Sequence, residues 1–130
     1  MDYYATIFRT ISDENRLRIM ALFVTLRQAL TVCELVDALV LPQYQVSRHV
    51  RQLKESGLIK VNKKGVWSYY YLNHEGDFNK QLFDFLEKSL KTDQLEMDKQ
   101  AINVRLLFRK NGKCVLGSVS QSEIQKHIIY

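Results

Sequence analysis

Two sets of side chains in this sequence are equipped for chemistry: a run of bases between residues 41 and 74, and two thiols. In the first, Arg48, Arg51, Lys54, Lys60, Lys63 and Lys64 stand against a single acid, Glu55. The whole chain carries a net charge of +5, and its other 13 basic and 13 acidic residues cancel. All of the net positive charge therefore falls in one quarter of the length, as a surface meeting a phosphate backbone requires. A merely solvated face would mix the signs. Among the bases lie Gln43, Tyr44, Gln45, Ser47 and Gln52, whose amides and hydroxyls are of the kind that read base edges and phosphates. Together with Arg48, Arg51, Lys63 and Lys64 they form the candidate duplex-contacting set.

The thiols are Cys33 and Cys114, 81 residues apart. That spacing is not a secreted disulfide framework, and a reducing cytoplasm with both thiols free at rest is expected. Cys33 is placed in the first turn of a helix, whose positive end favours a thiolate, although Glu34 and Asp37 oppose the effect. Cys114 follows a glycine-containing turn beside Lys113, which predicts an accessible, mildly electropositive setting. Thiolates prefer soft, thiophilic centres. The same pair could instead close a disulfide or polysulfide bridge under oxidants or sulfide stress. A small buried helix residue and an incidental tail thiol are the plain alternative. The spacing leaves open whether the two meet within one subunit or across a dimer.

The elements that must hold these groups are read from periodicity and capping. Tyr4, Ile7, Phe8 and Ile11 fall on one face of a short first helix. Ser12 or Asp13 caps a second, whose Leu17, Ile19, Met20, Leu22 and Phe23 make it a core helix. Thr31-Val32-Cys33-Glu34 is a capping box opening a third, with Leu35, Val36 and Leu39 inward. Leu41-Pro42 ends that helix and primes a fourth, from about Pro42 to Ser56, which stops at Gly57. Val46, Val50 and Leu53 form its buried stripe, and His49 beside them is expected to be a packing histidine. Leu58–Val61 and Val66–Leu72 read as strands joined by an Asn62-Lys63-Lys64-Gly65 turn. Helices followed by a two-stranded basic hairpin predict a mainly α fold, a winged helix-turn-helix with extra N- and C-terminal helices.

Asp77 is expected to cap a further helix carrying Phe78, Leu82, Phe83, Phe85, Leu86 and Leu90. Thr92 or Asp93 should cap its successor, with Met97, Ala101, Val104 and Phe108 on one stripe. The first and last long helices carry more apolar surface than one small domain needs. Tyr4, Ile7, Phe8, Phe78, Leu82, Leu86, Met97 and Val104 are accordingly expected at a homodimer interface. Lys110-Asn111-Gly112-Lys113 is a turn, and Ser120-Gln121-Ser122-Glu123 a second capping box that predicts a brief terminal helix. Residues 1–110 are read as one DNA-binding and dimerisation domain, and residues 111–130 as a tail carrying Cys114. No apolar run approaches the roughly 18–20 residues of a membrane span, and the N-terminal stretch does not read as a secretory signal. The histidines are dispersed and no phosphate-cradling glycine loop is present, which argues against an enzyme. A winged helix used only for protein contacts remains open.

The segments ISDENRLRI (11–19), LPQYQVSRHV (41–50), LKESGLI (53–59) and KGVWSYY (64–70) resemble the ArsR/SmtB family of winged-helix repressors, most closely its arsenic-responsive branch. The likeness covers about residues 1–110. It implies a homodimer that sits on double-stranded operator DNA and leaves when an inducer binds, with no cofactor required. The arsenic-responsive branch often carries Cys-Val-Cys-Asp-Leu at the start of the third helix. Here the stretch is Thr31-Val32-Cys33-Glu34-Leu35, so the second cysteine matches and the first is a threonine. The family's carboxylate and histidine zinc site on the last long helix is not visible, since no histidine lies between Asp77 and Lys110. The inducer implied is trivalent arsenic or antimony on Cys33 and Cys114, with a small external thiol or an oxygen as third ligand.

Overall fold

The computed structural model describes residues 1–128. The elements in chain order are α1 (Asp2–Ile11), α2 (Glu14–Leu26), α3 (Val32–Leu39), α4 (Gln43–Glu55), β1 (Ile59–Lys64), β2 (Trp67–Leu72), α5 (Asp77–Ser89), α6 (Asp93–Leu106) and α7 (Gln121–Lys126). A mostly helical chain with one antiparallel hairpin is the winged helix-turn-helix expected from the sequence. None of the helices among the described residues is long and apolar enough to cross a membrane.

Helix α2 is the centre of the core. Six consecutive residues, Ile19 to Val24, are buried, because α1, α4, α5 and α6 all pack around it. Asp13, not Ser12, is its N-cap: the carboxylate accepts from the backbone N–H groups of Asn15 and Arg16. Thr31 closes both halves of a capping box with Glu34 at the start of α3. Between α3 and α4 the chain turns at Val40, an exposed residue held at φ 57°. Left-handed backbone at a β-branched residue is costly. Leu41 and Pro42 then set the entry to α4, with Pro42 at the N-cap just before the helix.

Helix α4 buries Val46, His49, Val50 and Leu53, so the stripe read from spacing is the one that packs. Its last residue precedes Ser56, and Gly57 at φ 88° lets the chain leave into β1. The hairpin differs from expectation. Asn62, Lys63 and Lys64 are strand residues paired with Tyr69, Ser68 and Trp67, and the turn is only Gly65-Val66. Of these two, only Gly65 has positive φ, the pattern of a two-residue turn opened by glycine. The tight turn matches the twist of the strands, so pairing runs right up to the residue before the glycine.

One other expectation is corrected. Asp77 is the first residue of α5 rather than its cap, a position taken by Gly76 at φ 85°. Phe85 points outward, with 62% of its surface exposed. In α6 the buried residues are Asp98, Ile102, Val104 and Arg105, whereas Met97 is 62% exposed. A charged, buried face is possible there because each charge is paired. Arg18 Nε and Nη2 donate to the two Asp98 carboxylate oxygens at 2.8 and 2.9 Å. Arg105 Nε donates to Asp37 Oδ2 at 2.7 Å, with both side chains almost wholly buried.

Residues 111–128 pack back against the rest of the chain. Asn111 and Gly112 make the expected turn, both at positive φ. Beyond it Val119 and Ile124 pack on Val104, and the Val119 N–H donates to Asp37 Oδ2 at 2.8 Å. Ser120 caps α7 as expected. Four residues assigned to a dimer interface, Ile7, Leu82, Leu86 and Val104, are buried within this chain. Ile7, Leu82 and Leu86 close the main core, and Val104 belongs to the smaller cluster under α7.

Two consequences are measurable. Arg105→Met leaves the Asp37 carboxylate buried beside an apolar chain and is expected to cost about 3–5 kcal/mol, read as a fall in urea midpoint. His49 is buried, and burial in the first place, reinforced by Arg16 and Arg48 against the pull of Asp13, holds its imidazole below the usual value. The unfolded chain takes up a proton near pH ~6.5 while the folded chain resists it. Stability is therefore full above that pH and declines as pH falls below it. The urea midpoint should drop between about pH 7.5 and 5.5, and His49→Gln should flatten the drop.

Candidate nucleic-acid interface and thiol pair

The exposed face of α4 carries Gln43, Tyr44, Ser47, Arg48, Arg51 and Gln52, with Gln45 half-buried at its edge. Tyr44 has 68% of its surface free. Lys63 and Lys64 are exposed at the end of β1, beside the hairpin turn. Among the described residues Arg48, Arg51, Lys54, Lys63 and Lys64 have no carboxylate partner. Lys60 is the exception: its Nζ donates to Glu75 at 2.5 Å, which also raises its pKa. The nine expected contact residues thus lie on one helix face and the adjoining strand end.

Arg16 is a positioning residue that the sequence does not single out, since one base at the start of an apolar helix carries no pattern of its own. Its guanidinium fixes the pitch of α4. Nε donates to the Thr10 carbonyl at 2.5 Å, and Nη1 donates to Gln52 Oε1 at 2.6 Å and lies 3.2 Å from His49 Nδ1. One side chain from α2 therefore ties the end of α1 to the middle of α4. Gln52 is partly committed to this clamp, unlike Gln43, Ser47 and Arg48.

The second cluster gathers at the first turn of α3. Cys33 Sγ and Cys114 Sγ lie 3.7 Å apart within one chain, both as free thiols. That is well beyond the ~2.05 Å of a disulfide. It is close to the separation of two sulfurs sharing one centre at bonds of about 2.3 Å. Thr31 Oγ1 lies 3.1 Å from Cys33 Sγ and 3.7 Å from Cys114 Sγ. The Leu116 carbonyl oxygen lies 3.7 and 3.5 Å from the same two sulfurs. No group of three His, Cys, Asp or Glu suited to a metal ion occurs among the described residues. His74 packs on Phe83 and His127 on Phe108.

The expected accessibility of Cys114 is overturned: only 2% of the residue is exposed, while Cys33 is half-buried. The glycine turn before Cys114 directs the chain back onto α3 rather than into solvent. Burial pushes the Cys33 thiol up, and the neighbouring Cys114 adds to this against opposing pulls from Thr31 and Arg105. Helix position alone, with its favoured thiolate, does not decide the sign.

The thiols are joined to the hairpin by contacts that spacing could not reveal. The Cys114 N–H donates to the Tyr69 hydroxyl on β2 at 3.0 Å. Next to it, Leu30 and Tyr70 exchange backbone hydrogen bonds of 2.9 and 2.8 Å, fixing β2 to the residue before Thr31. Arg109 grips the Glu34 carboxylate at 2.6 and 2.7 Å and lies over the Tyr69 ring. Glu34 draws the Arg109 pKa upward. A groove of about 300 Å³ runs from Thr31 and Cys33 past Gln43 and Ser47 to Trp67 and Ser68. The thiol site and the basic face therefore share a wall.

On another face, Tyr4 and Phe8 from α1 stand edge-on to Phe78 of α5, at ring separations of 4.9 and 6.1 Å. Tyr3 joins them at 6.3 Å from Phe78. Tyr3, Tyr4 and Phe8 are each 44–54% exposed.

Residues 13–61 match the family described as bacterial regulatory protein, arsR family. An arsenic resistance transcriptional regulator of Pseudomonas putida is 42% identical over 69 residues, covering 53% of each chain. This chain thus matches about half the length of that relative. An HTH-type transcriptional regulator of Methanocaldococcus jannaschii is 37% identical over 68 residues, covering 52% of this chain and 75% of that one. Among solved structures, reduced HlyU from Vibrio cholerae has the same fold, with a TM-score of 0.60 and 23% identity over 70% of this chain and 92% of that one. With α4 and its hairpin lying within or beside the matched segment, the chain belongs to the ArsR family of winged helix-turn-helix transcriptional regulators.

Proposed function

We propose that this chain is a homodimeric, cytoplasmic repressor that binds operator DNA through α4 and the hairpin and is released by trivalent arsenic or antimony bound at Cys33 and Cys114. The observation that carries the DNA reading is the unpaired cationic face: five bases without carboxylate partners among the described residues, interleaved with Gln43, Tyr44 and Ser47. Such a face gains affinity by releasing counterions from phosphate and gains sequence preference from the polar side chains between the bases. The domain is taken as residues 1–110, with residues 111–130 as the segment that brings the second thiol. The aromatic cluster of Tyr3, Tyr4, Phe8 and Phe78 is the surface suited to a second copy. A two-fold partner would set two α4 helices about one DNA turn apart. Met97, on α6, lies among the groove residues beside Arg18 and Gln121.

Arsenic enters because the Pseudomonas putida relative is named an arsenic resistance regulator and because two sulfurs 3.7 Å apart suit a soft centre. Since the sulfurs already meet, the inducer need not draw them together from afar. It has to lock α3 and the 114–119 segment into one bonded unit. Any displacement this causes reaches β2 directly through the Cys114–Tyr69 hydrogen bond and the Leu30–Tyr70 pairing. Both α4 helices of a dimer must fit successive grooves together, so a small tilt of α3 or β2 is sufficient to weaken binding.

Binding of upstream duplex is expected to weaken steeply with salt, and Lys63→Ala or Lys64→Ala should lower the log–log slope by about 0.9 for each phosphate that is no longer neutralised. A slope unchanged in both variants removes the hairpin from the interface. Cys33→Ser and Cys114→Ser should each keep operator affinity but lose its arsenite response in a gel shift. A double variant that still leaves DNA when arsenite is added overturns the thiol site.

A further inference from the structure

A trivalent arsenic centre is pyramidal, with three positions, and the chain offers two sulfurs. Building on the thiol site proposed above, we infer that the third position is held by oxygen: arsenite keeps one hydroxyl, which is received by Thr31 Oγ1, the Leu116 carbonyl and the Arg105 guanidinium. Both oxygens lie within 3.1–3.7 Å of the two sulfurs, so each is within reach of a group bonded to both. Arg105 stands at the same place. Its Nη2 donates to the Leu116 carbonyl at 2.8 Å and lies 4.0 Å from Cys33 Sγ. Its Nη1 is buried and has no hydrogen-bond partner among the described residues. A buried guanidinium with an uncommitted donor is out of balance unless an acceptor is supplied. The oxygen of a bound As–OH is such an acceptor.

The chemistry balances without any change of oxidation state. As(OH)3 and two thiols give (RS)2As–OH and two waters: two As–O bonds break, two As–S bonds form, and each thiol proton leaves with a departing hydroxide. The retained hydroxyl donates to Leu116 O or Thr31 Oγ1 and accepts from Arg105. Thr31 thus stands in the place of a third sulfur without being one. The site selects centres that accept mixed sulfur and oxygen donors and carry exchangeable hydroxyls, trivalent arsenic and antimony, over zinc-like ions that need four good ligands.

The test is arsenic-edge X-ray absorption on the full chain with one equivalent of arsenite and no small thiol present. Two sulfurs and one oxygen are expected for the wild type and for Thr31→Ser, and three sulfurs for Thr31→Cys. Thr31→Val is expected to lose about tenfold in arsenite affinity, the size of one hydrogen bond in this setting. Phenylarsine oxide, whose carbon already fills the third position, should bind Thr31→Val as it binds the wild type. Three sulfurs in the wild type, two in Thr31→Cys, or equal losses for arsenite and phenylarsine oxide in Thr31→Val overturn the oxygen assignment. Should Thr31→Val fail to fold, the Thr31→Cys sulfur count decides. If Cys33→Ser and Cys114→Ser still bind arsenite, it is the two-thiol reading itself that falls.

Discussion

The buried pair of Arg105 and Asp37 is the contact on which the arrangement of the C-terminal half depends. Charges taken out of water repay their desolvation only with good geometry and further hydrogen bonds around the pair. Here one carboxylate oxygen takes Arg105 Nε at 2.7 Å and the Val119 N–H at 2.8 Å. The same guanidinium reaches the Leu116 carbonyl. α3, α6 and the 114–119 segment are thereby held in one geometry, and Cys114 is brought to Cys33. Arg109–Glu34 and Arg18–Asp98 repeat the pattern, so α6 and the residues just after it are fixed to α2 and α3 by three guanidinium–carboxylate contacts. An apolar seam tolerates sliding by a fraction of a turn, whereas directional ion pairs do not. The site proposed at the thiols, with two sulfurs and two oxygens in register, is better served by the second kind of seam.

That seam also explains where the sequence was legible. Helix α4 follows a plain apolar stripe, Val46, Val50 and Leu53, with polar residues opposite, and its buried face and exposed bases fall where the period puts them. The capping box at Thr31 and the turn at Asn111-Gly112 are local, and local rules suffice for them. Helix α6 has no comparable stripe because Asp98 and Arg105 are on its buried side. Their partners, Arg18 and Asp37, are 80 and 68 residues away in sequence. Periodicity counts apolar residues and cannot see a charge neutralised from elsewhere. It therefore picks out the stripe that begins at Met97 and gives no sign of Arg105.

The hairpin and the thiols show the same limit from two sides. Lysines beside a glycine read naturally as a turn, yet cross-strand pairing to Tyr69, Ser68 and Trp67 carries the strand up to Lys64. Pairing energy belongs to two segments together, and neither alone announces it. For Cys114, the flanking Lys113 suggests openness, but the turn before it reverses the chain onto α3, and Tyr69 meets its backbone. Of the residues expected to meet DNA, Gln52 is the one whose role the fold complicates, since Arg16 already occupies its carbonyl oxygen. The types of residue needed for a phosphate-facing surface were visible in the chain. Which of them are free to use their hydrogen bonds was not.

On the proposed reading, the short route between thiols and hairpin sets a condition on how the protein responds. A ligand shifts an equilibrium only by the difference between its affinities for the two states. If metalloid weakens operator binding by some factor, the operator must weaken metalloid binding by that same factor. The place for this antagonism is the shared wall of the groove, where Thr31 and Cys33 face Gln43, Ser47 and Trp67. DNA held against α4 and β2 stiffens that wall through Tyr70–Leu30 and Tyr69–Cys114. A centre bonded to both sulfurs fixes the same wall in a geometry of its own choosing. The two occupants need not touch, because the Leu30–Tyr70 pairing and the Cys114–Tyr69 hydrogen bond join the wall that one of them stiffens to the sulfurs that the other bonds.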